Sequence, residues 1–349
     1  MEWVRGKEIG RGSFATIYAA KPKNSSSQLP PLMAVKSAET YYSASVETEK
    51  RILDQIGSCP HIIRCFGDDR TVEDGEKFYN LMLEYATGGT LADELKRNGG
   101  RLAEADVRRH TNSVLKGLGF VHAKGFVHCD VKLQNVLVFD NGVAKIADFG
   151  LAKKAGETEQ KAEVRGTPLY MAPESVNDNE YESSADVWAL GCLVAEMASG
   201  KPVWDHSPGA NIFKLLIRIG GDELPQIPED LCEEGKDFLG KCFVKDPRKR
   251  WTAEMLLSHP FVSDHDAVLL EDTKLSPSPR GPFDFPDWVS MASSEISSDF
   301  GDSFRKNDLN SGSDWSSRQS SIPAEDRLLQ LVTEETPNWS FSGDWVTVL

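Results

Sequence analysis

The sequence lacks paired cysteines and long apolar runs. Its six cysteines are spread singly over 349 residues with no CxxC pair, which argues against a zinc site or a disulfide framework and favours a reducing compartment. The longest apolar run, VWALGCLVA at 187–195, is about half of the ~18 residues that a membrane span needs. Neither an apolar segment nor a glycine follows Met1, so no signal peptide or myristoylation is predicted.

Positive charge is also scarce. The chain has 39 Lys and Arg against 54 Asp and Glu, a net charge of −15 at pH 7. Beyond residue 263 there are 16 acidic and 6 basic residues, so that part carries −10 and residues 1–263 carry −5. Because a phosphate backbone requires a basic face, nucleic acid is not expected as a partner, and no membrane is expected either. We predict a cytoplasmic protein, with the nucleus as an alternative through the basic cluster KDPRKR at 245–250.

The hydrophobic pattern changes along the chain. Residues 3–36 alternate apolar and polar positions around glycines, as strands do, and residues 43–56 have helical spacing that ends at Gly57. After the TGG at 87–89 the pattern becomes mostly helical. This order predicts an α+β fold with a small strand-rich lobe, a larger helical lobe and a ligand crevice between them. Between 276 and 321, 14 of 46 residues are serine, so the acidic tail at 263–349 is predicted to be mostly disordered.

A glycine-containing loop lies between the first two predicted strands. In GRGSFA, Gly10 and Gly12 would let the backbone approach a phosphate closely, although an ordinary hairpin could use the same residues. A dinucleotide-binding fold would need a helix directly after this loop, and TIYAA indicates a strand instead. Lys36 then ends an apolar strand. It could be a surface lysine, but with Glu49 on the next helix it would be oriented to hold the α- and β-phosphates of a nucleotide.

The segment 126–152 concentrates the residues of phosphoryl transfer. Asn135 and Asp148 provide the oxygen ligands that Mg²⁺ prefers. Asp130 remains to orient an attacking hydroxyl and accept its proton, and Lys132 can neutralise charge that develops on the transferred group. Each of these residues alone could be a turn or capping residue, but the ordered set points to a catalytic site that uses ATP and Mg²⁺.

The combined motifs of residues 3–262 resemble a eukaryotic protein kinase domain. The motifs are GRGSFATI, MAVK, HCDVKLQN, DFG at 148–150, APE at 172–174, DVWALG at 186–191 and KDPRKRW. The resemblance implies a bilobal fold, with an antiparallel β lobe carrying one helix at about 3–83, a hinge at 84–89 and a helical lobe at 90–262. It also implies that Glu174 pairs with Arg250.

The resemblance further implies the position of ATP. The glycine-rich loop would cover the phosphates, and the adenine would contact the hinge backbone at Glu84 and Ala86. Apolar residues would enclose the adenine from both sides. The implied nucleotide-binding residues are Ile9, Gly10, Arg11, Gly12, Ser13, Phe14, Ala15, Thr16, Ile17, Ala34, Lys36, Glu84, Ala86 and Leu137.

Lysine at position 132, with GTPLYMAPE following, is the form found in Ser/Thr kinases. More narrowly, MEWVRGKEIGRGSF, HAKGFVHCDVKLQNVL and the Trp-containing end PNWSFSGDWVTVL are similar to the short, plant MEKK-like MAP kinase kinase kinases. The resemblance implies that the substrate is a MAP kinase kinase, in a plant hormone or stress signalling cascade. Two alternatives stay open, namely a pseudokinase scaffold that binds partners without catalysis and a protein whose main functional unit is its tail.

Several expectations concern control. Cys129 replaces the arginine that in the family binds an activation-loop phosphate, so weaker control by such a phosphate is expected. Cys129 is either a small neutral residue or a reactive thiol. In the activation segment, Thr158 is a phosphosite or a solvated residue, and Thr167 is expected to contact Asp130 and Lys132. In the tail, two Ser-Pro pairs could receive feedback phosphorylation from a MAP kinase, and the tryptophans could form a docking peptide for a partner.

Overall fold

A five-stranded antiparallel sheet forms the first lobe of the computed structural model, which describes residues 2–12, 15–24, 29–157, 164–204 and 211–263. The predictions made for Ser13, Phe14, Thr158 and the tail lie outside the described residues. The strands are β1 (Trp3–Arg11), β2 (Thr16–Pro22), β3 (Met33–Glu39), β4 (Cys65–Glu73) and β5 (Glu76–Glu84), in the order β1-β2-β3-β5-β4.

One α-helix, α1 (Ala44–Ile56), packs on β3, β4 and β5. Its buried residues recur at helical spacing, at Val46, Ile52, Leu53 and Ile56, which explains why this segment is a helix with one face in the core. The helix ends at Gly57, whose φ of +78° is a conformation that side-chain-bearing residues rarely adopt. The predicted helix and its glycine terminus are confirmed.

The second lobe is mainly helical. Its helices are α2 (Leu91–Arg97), α3 (Glu104–Ala123), α4 (Pro173–Asp178), α5 (Ser183–Ser199), α6 (Ile212–Gly220), α7 (Glu233–Cys242), α8 (Ala253–Leu257) and α9 (Pro260–Ser263). Two short two-stranded antiparallel sheets accompany them, one of β6 (Phe126–Val127) with β9 (Lys153–Lys154) and one of β7 (Val136–Val138) with β8 (Ala144–Ile146). Helix α5 is apolar around its circumference and buried along most of its length, so it forms the centre of this lobe. The α+β, two-lobed architecture predicted from the sequence is confirmed.

The connection between the lobes lies against the β7–β8 hairpin. The Gly88 N–H donates to Val138 O at 3.0 Å, and the Val138 N–H donates to Gly89 O at 2.9 Å. A Cβ at Gly88 would lie 2.7 Å from Val138 O, so this close approach requires glycine. Thr90 then caps α2 through a reciprocal pair of hydrogen bonds with Asp93. The crevice between the lobes is therefore bordered by the ends of β5 and β7.

No helix within the described ranges has the length and apolar character that crossing a membrane requires. The last described helix, α9, is held to α3 by side-chain hydrogen bonds. Arg108 Nη1 donates to Phe261 O at 3.1 Å, and Asn112 Nδ2 donates to Val262 O at 3.1 Å.

We predict that a chain ending near residue 270 folds and keeps its activity toward a generic substrate. The packing of α9 completes the core before this point, and the acidic, serine-rich tail offers little apolar surface to bury. Thermal unfolding of the shortened and full-length chains should give melting temperatures within about 2 °C, because a loss of one kcal/mol would shift a domain of this size by roughly that much. An insoluble product, or one that melts many degrees lower, would move the domain boundary into the tail.

Candidate active site

An ion-paired lysine joins the two lobes. Lys36 on β3 contacts Glu49 on α1, with 2.8 Å between Nζ and Oε2. The same ammonium contacts Asp148 Oδ1, which follows β8 in the other lobe, at 2.9 Å. Glu49 Oε1 also accepts the Phe149 N–H at 3.3 Å. The structure thus brings together the lysine and glutamate assigned to phosphate binding and the aspartate assigned to the metal.

Burial and charge oppose one another in this cluster. Lys36 and Glu49 are both buried. Burial disfavours the ammonium, but the negative charges of Asp148 and Glu49 outweigh it and raise the pKa of Lys36. Burial also opposes ionisation of Asp148, yet the charge of Lys36 overcomes it and lowers the pKa of Asp148 to about 2. At neutral pH the cluster therefore presents a permanent cation beside a permanent anion.

A second cluster surrounds Asp130. The Thr167 hydroxyl donates to Asp130 Oδ1 at 2.7 Å, and Lys132 Nζ donates to Thr167 Oγ1 at 2.8 Å. Lys132 Nζ also lies 2.8 Å from Asp130 Oδ2. Asn135 Nδ2 donates to the same carboxylate oxygen at 2.9 Å and to the Asp130 carbonyl at 2.9 Å. The contacts that we expected of Thr167 with Asp130 and Lys132 are both present, and they fix the orientation of the carboxylate.

Asn135 and Asp148 suit a hard divalent cation. Asn135 uses its amide nitrogen toward Asp130, which leaves its oxygen as a ligand, and both Lys36 and the Gly150 N–H donate to the same Asp148 oxygen, Oδ1. Among the described residues no group of three or more His, Cys, Asp or Glu side chains could hold a metal ion. Mg²⁺ typically binds through one or two protein oxygens, substrate phosphates and water. The donor set therefore fits Mg²⁺ with a nucleotide rather than a closed protein site.

Asp186 on α5 anchors the segment that carries Asp130, a role that the sequence analysis missed. Its two carboxylate oxygens accept the backbone N–H groups of His128 at 2.8 Å and Cys129 at 2.9 Å. His122 Nε2 contacts it at 2.8 Å. Burial opposes ionisation of Asp186, but the hydrogen bond from His122 outweighs burial and lowers its pKa. The sequence does indicate such a role, because an aspartate at the start of the apolar run DVWALG is expected to be buried and then needs hydrogen-bond donors around it.

The glycine-containing loop is a β-hairpin end. The Gly12 N–H donates to Ala15 O at 2.8 Å, and Gly10 and Arg11 pair with Ile17 and Thr16 across β1 and β2. The side chain of Arg11 is exposed and pairs with a neighbouring glutamate. The strand predicted for TIYAA is therefore present, and the helix that a dinucleotide fold would need here is not.

The residues predicted to enclose the adenine come from strands of both lobes. Ile9, Ile17 and Leu137 are half-buried against the core, and Ala34 is buried. Glu84 ends β5 and Ala86 follows it in the connection between the lobes. A further pair, which the sequence analysis missed, holds this strand end, because both Glu84 carboxylate oxygens accept from Lys145 Nζ on β8 at 2.7 Å.

Cys129 is adjacent to Asp130, but its thiol is not activated. Burial, and then the charge of Asp186, raise the pKa of the Cys129 thiol well above its usual range. The thiol therefore stays protonated, which favours the small neutral residue over the reactive thiol. The charges of Arg165 and Lys153 oppose this rise, so the structure supplies positive charge near Cys129 although the arginine of the family is absent there.

The predicted pair of Glu174 and Arg250 is present and buried. Arg250 Nη1 and Nη2 lie 2.6 and 3.0 Å from the two carboxylate oxygens, a bidentate arrangement. Arg250 also donates to the carbonyls of Ser184 at 2.7 Å and Val244 at 2.9 Å, and its guanidinium lies 5.0 Å from the Trp188 ring centroid. The pair ties α4 to α5 and to the segment that precedes α8.

Removing one member of this pair should destabilise the protein strongly. Arg250→Met leaves the Glu174 carboxylate buried without a cation, and such losses cost about 3–5 kcal/mol. Urea should unfold Arg250→Met at a lower midpoint concentration than the wild type. The double variant Arg250→Met with Glu174→Leu removes both charges and should recover most of the loss. A single variant as stable as the wild type would mean that the pair contributes nothing to the fold.

Comparison with known proteins agrees with this arrangement. A family model described as a protein kinase domain matches residues 3–262. The chain is 52% identical over 363 aligned residues to mitogen-activated protein kinase kinase kinase 20 of Arabidopsis thaliana, covering 100% of both chains. It is 40% identical to mitogen-activated protein kinase kinase kinase 18 of the same organism, covering 100% of this chain and 99% of that one. It is 41% identical to mitogen-activated protein kinase kinase kinase 17, covering 83% and 78% respectively.

Proposed function

The chain belongs to the protein kinase family, as a Ser/Thr kinase among the mitogen-activated protein kinase kinase kinases, and on that premise we propose that it phosphorylates MAP kinase kinases. The observation that carries the proposal is the pair of assembled clusters, one around Lys36 and one around Asp130. The first is built to hold phosphates and the second to hold the acceptor hydroxyl.

In the proposed reaction the hydroxyl oxygen of a substrate Ser or Thr attacks the γ-phosphorus of ATP, and the bond from that phosphorus to the bridging oxygen of ADP breaks. Asp130 orients the hydroxyl and takes its proton late in the step. Lys36 holds the α- and β-phosphates, and Lys132 neutralises charge that develops on the transferred group. Asn135 and Asp148 would hold Mg²⁺, which supplies charge neutralisation at the β- and γ-phosphate oxygens when bound.

The arrangement favours catalysis over the pseudokinase alternative. A scaffold that binds partners needs neither a buried cation shared by Glu49 and Asp148 nor a threonine that bridges Asp130 and Lys132. Buried charges that are not fully compensated destabilise the folded protein, so a protein without catalytic activity would gain nothing from this assembly.

The wider context is part of the proposal. We place the protein in a plant hormone or stress cascade, supported by its likeness to mitogen-activated protein kinase kinase kinases of Arabidopsis thaliana. A cytoplasmic location, with the nucleus as the alternative, stays a prediction. A fluorescent fusion tests it, and substitution of the exposed Arg248 and Lys249 tests import through the basic cluster.

Purified protein should phosphorylate at least one member of a panel of kinase-dead MAP kinase kinases. Mass spectrometry should place the new phosphates on Ser or Thr in the activation loops of those substrates. Transfer to a generic substrate but to no MAP kinase kinase would overturn the substrate assignment. Absence of ATP- and Mg²⁺-dependent transfer to every substrate would overturn catalysis itself and favour the scaffold.

A further inference from the structure

The activation segment is described as two arms, a first arm of residues 148–157 and a second arm of residues 164–174. Glu182 contacts the first arm from the connection between α4 and α5. Its carboxylate oxygen Oε1 accepts the backbone N–H of Gly156 at 2.8 Å and lies 3.9 Å from Lys153 Nζ on β9. One carboxylate thus meets both a backbone donor and a cation of this arm.

The local structure of the first arm explains why Lys153 needs an anion. Lys153 pairs with Val127 across β6 and β9, and its side chain is 10% exposed. Its Nζ donates to the carbonyl of Glu157 at 2.9 Å, which leaves the positive charge without compensation from that contact. A phosphate on an activation segment supplies such an anion, because it accepts hydrogen bonds and pairs with basic side chains. The Glu182 carboxylate has the same two capacities.

The second arm is attached to the residue next to Glu182. The Tyr181 hydroxyl accepts the backbone N–H of Arg165 at 2.8 Å, and the Tyr181 ring is buried with Met171. Arg165 Nη1 also donates to the carbonyl of Leu151 in the first arm at 3.0 Å, so the two arms are joined directly. Because Tyr181 and Glu182 are adjacent, one short connection fixes both arms relative to α5.

The second arm lies directly against the segment that carries Asp130. Gly166 has a φ of +89°, and a Cβ there would lie 2.5 Å from the carbonyl oxygen of Cys129. The next residue, Thr167, donates its hydroxyl hydrogen to Asp130. A shift of the second arm would therefore move the Thr167 hydroxyl away from the carboxylate that it orients.

We propose that Glu182 is a positioning residue that supplies the fixed negative charge which a phosphate would otherwise supply to the activation segment. Together with Tyr181 it keeps both arms in place, and Thr167 on Asp130, in the unphosphorylated protein. The neutral residue Cys129 agrees with this arrangement, because the arginine that would bind a phosphate at that position is absent. The inference rests on the proposed function, since it concerns how that kinase orders its own activation segment.

Steady-state kinetics of the full-length protein, produced in bacteria and treated with phosphatase, tests this proposal on a kinase-dead MAP kinase kinase. Glu182→Ala should lower kcat about tenfold, the effect of losing one charge-assisted hydrogen bond. It should leave the KM for ATP unchanged, because the cluster around Lys36 is not altered. Glu182→Gln keeps an oxygen that can accept the Gly156 N–H but has no charge, so its kcat should lie between those of Glu182→Ala and the wild type.

Hydrogen–deuterium exchange distinguishes positioning of the arms from a general loss of stability. Peptides that contain Gly156 should exchange faster in Glu182→Ala than in the wild type. Peptides that contain Arg165 should exchange faster in Tyr181→Phe, which keeps the ring and removes the hydroxyl. Peptides from α5 should exchange at the wild-type rate in both variants, because the core of the helical lobe is unchanged.

Matched variants control for the chemical changes themselves. Glu254→Gln on α8 and Tyr41→Phe alter exposed side chains and should keep the wild-type kcat. The proposal is overturned if Glu182→Ala or Glu182→Gln keeps the wild-type kcat, or if phosphatase treatment alone removes the activity of the wild type. The last result would mean that a phosphate, rather than Glu182, orders the activation segment. A wild type that phosphorylates no MAP kinase kinase, before or after phosphatase treatment, would instead count against the proposed function.

Discussion

Lys36→Met and Asp148→Asn should each lower phosphoryl transfer to below about one per cent of the wild type, because this reaction depends almost wholly on positioning and electrostatic stabilisation. The first variant removes the cation assigned to the α- and β-phosphates, and the second removes a full negative charge from the metal ligand set. Initial rates at saturating ATP and Mg²⁺ measure the loss. Lys236→Met, at a half-buried position, and Asp140→Asn, at an exposed one, make the same chemical changes outside the two clusters and should keep wild-type rates.

The two variants should differ in stability. Asp148→Asn keeps the shape of a partly exposed side chain and should remain folded. Lys36→Met leaves Glu49 buried beside Asp148 without their shared cation, so it should also lower the melting temperature. Adding Glu49→Gln to Lys36→Met should restore part of that loss without restoring activity. Either single variant that keeps more than a few per cent of wild-type turnover would refute the phosphate and metal assignments.

The stability of Lys36→Met should also depend on pH in a defined direction. Burial raises the pKa of Glu49 even in the wild type, and loss of the Lys36 charge raises it further. A carboxyl whose folded pKa lies above its unfolded value contributes stability that is fully present below the unfolded pKa and is lost as pH rises through the folded pKa. The melting temperature of Lys36→Met should therefore fall toward neutral pH relative to the wild type, whereas the variant that also has Glu49→Gln should not show this fall.

Thr167→Ala should lose nearly all activity while remaining folded. The hydroxyl donates to Asp130 and accepts from Lys132, so its removal leaves the catalytic carboxylate without one of its orienting hydrogen bonds. Losing a single preorganised hydrogen bond at a reacting group typically costs about 10²–10³-fold in kcat. The contact is made without any phosphate, so protein produced in bacteria and treated with phosphatase should show the same loss.

Thr167→Ser restores the hydroxyl and serves as the matched variant. It should retain most of the wild-type kcat, since only a methyl group is lost. A Thr167→Ala protein with near-normal kcat, or a serine variant as inactive as the alanine variant, would show that the hydroxyl does not position Asp130. Phosphorylation of Thr158 stays a prediction from the sequence. Because Arg165 and Lys153 place positive charge near Cys129, it is worth testing whether they bind a phosphate on the activation segment.

Residues that occur in compact motifs were predictable from the sequence. Asp130, Lys132 and Asn135 lie within six residues of one another, so local spacing alone shows that they can share one site. Lys36 and Glu49 were predictable because a strand followed by a helix with a buried face places them on neighbouring elements. The two-lobed fold followed from the change in hydrophobic period near residue 87.

Contacts between residues distant in sequence were not predictable in this way. The Glu84–Lys145 pair and the contacts of Asp186 with His122 and Cys129 join residues more than fifty positions apart, and no local pattern records them. The positive charge near Cys129 was not predictable, because Lys153 and Arg165 are both more than twenty positions from Cys129 in the sequence.

The anchoring of the catalytic segment by Asp186 has a mechanical consequence. Asp130, Lys132, Asn135 and Thr167 are all held in the helical lobe, whose central helix α5 carries the anchor. Of the described residues in the two polar clusters, Lys36 and Glu49 come from the β-sheet lobe. A rotation of one lobe against the other would therefore break the contact between Lys36 and Asp148 and leave the hydroxyl-binding half intact. Such a separation of two preassembled halves would stop catalysis, and return to the active state would require realignment rather than refolding.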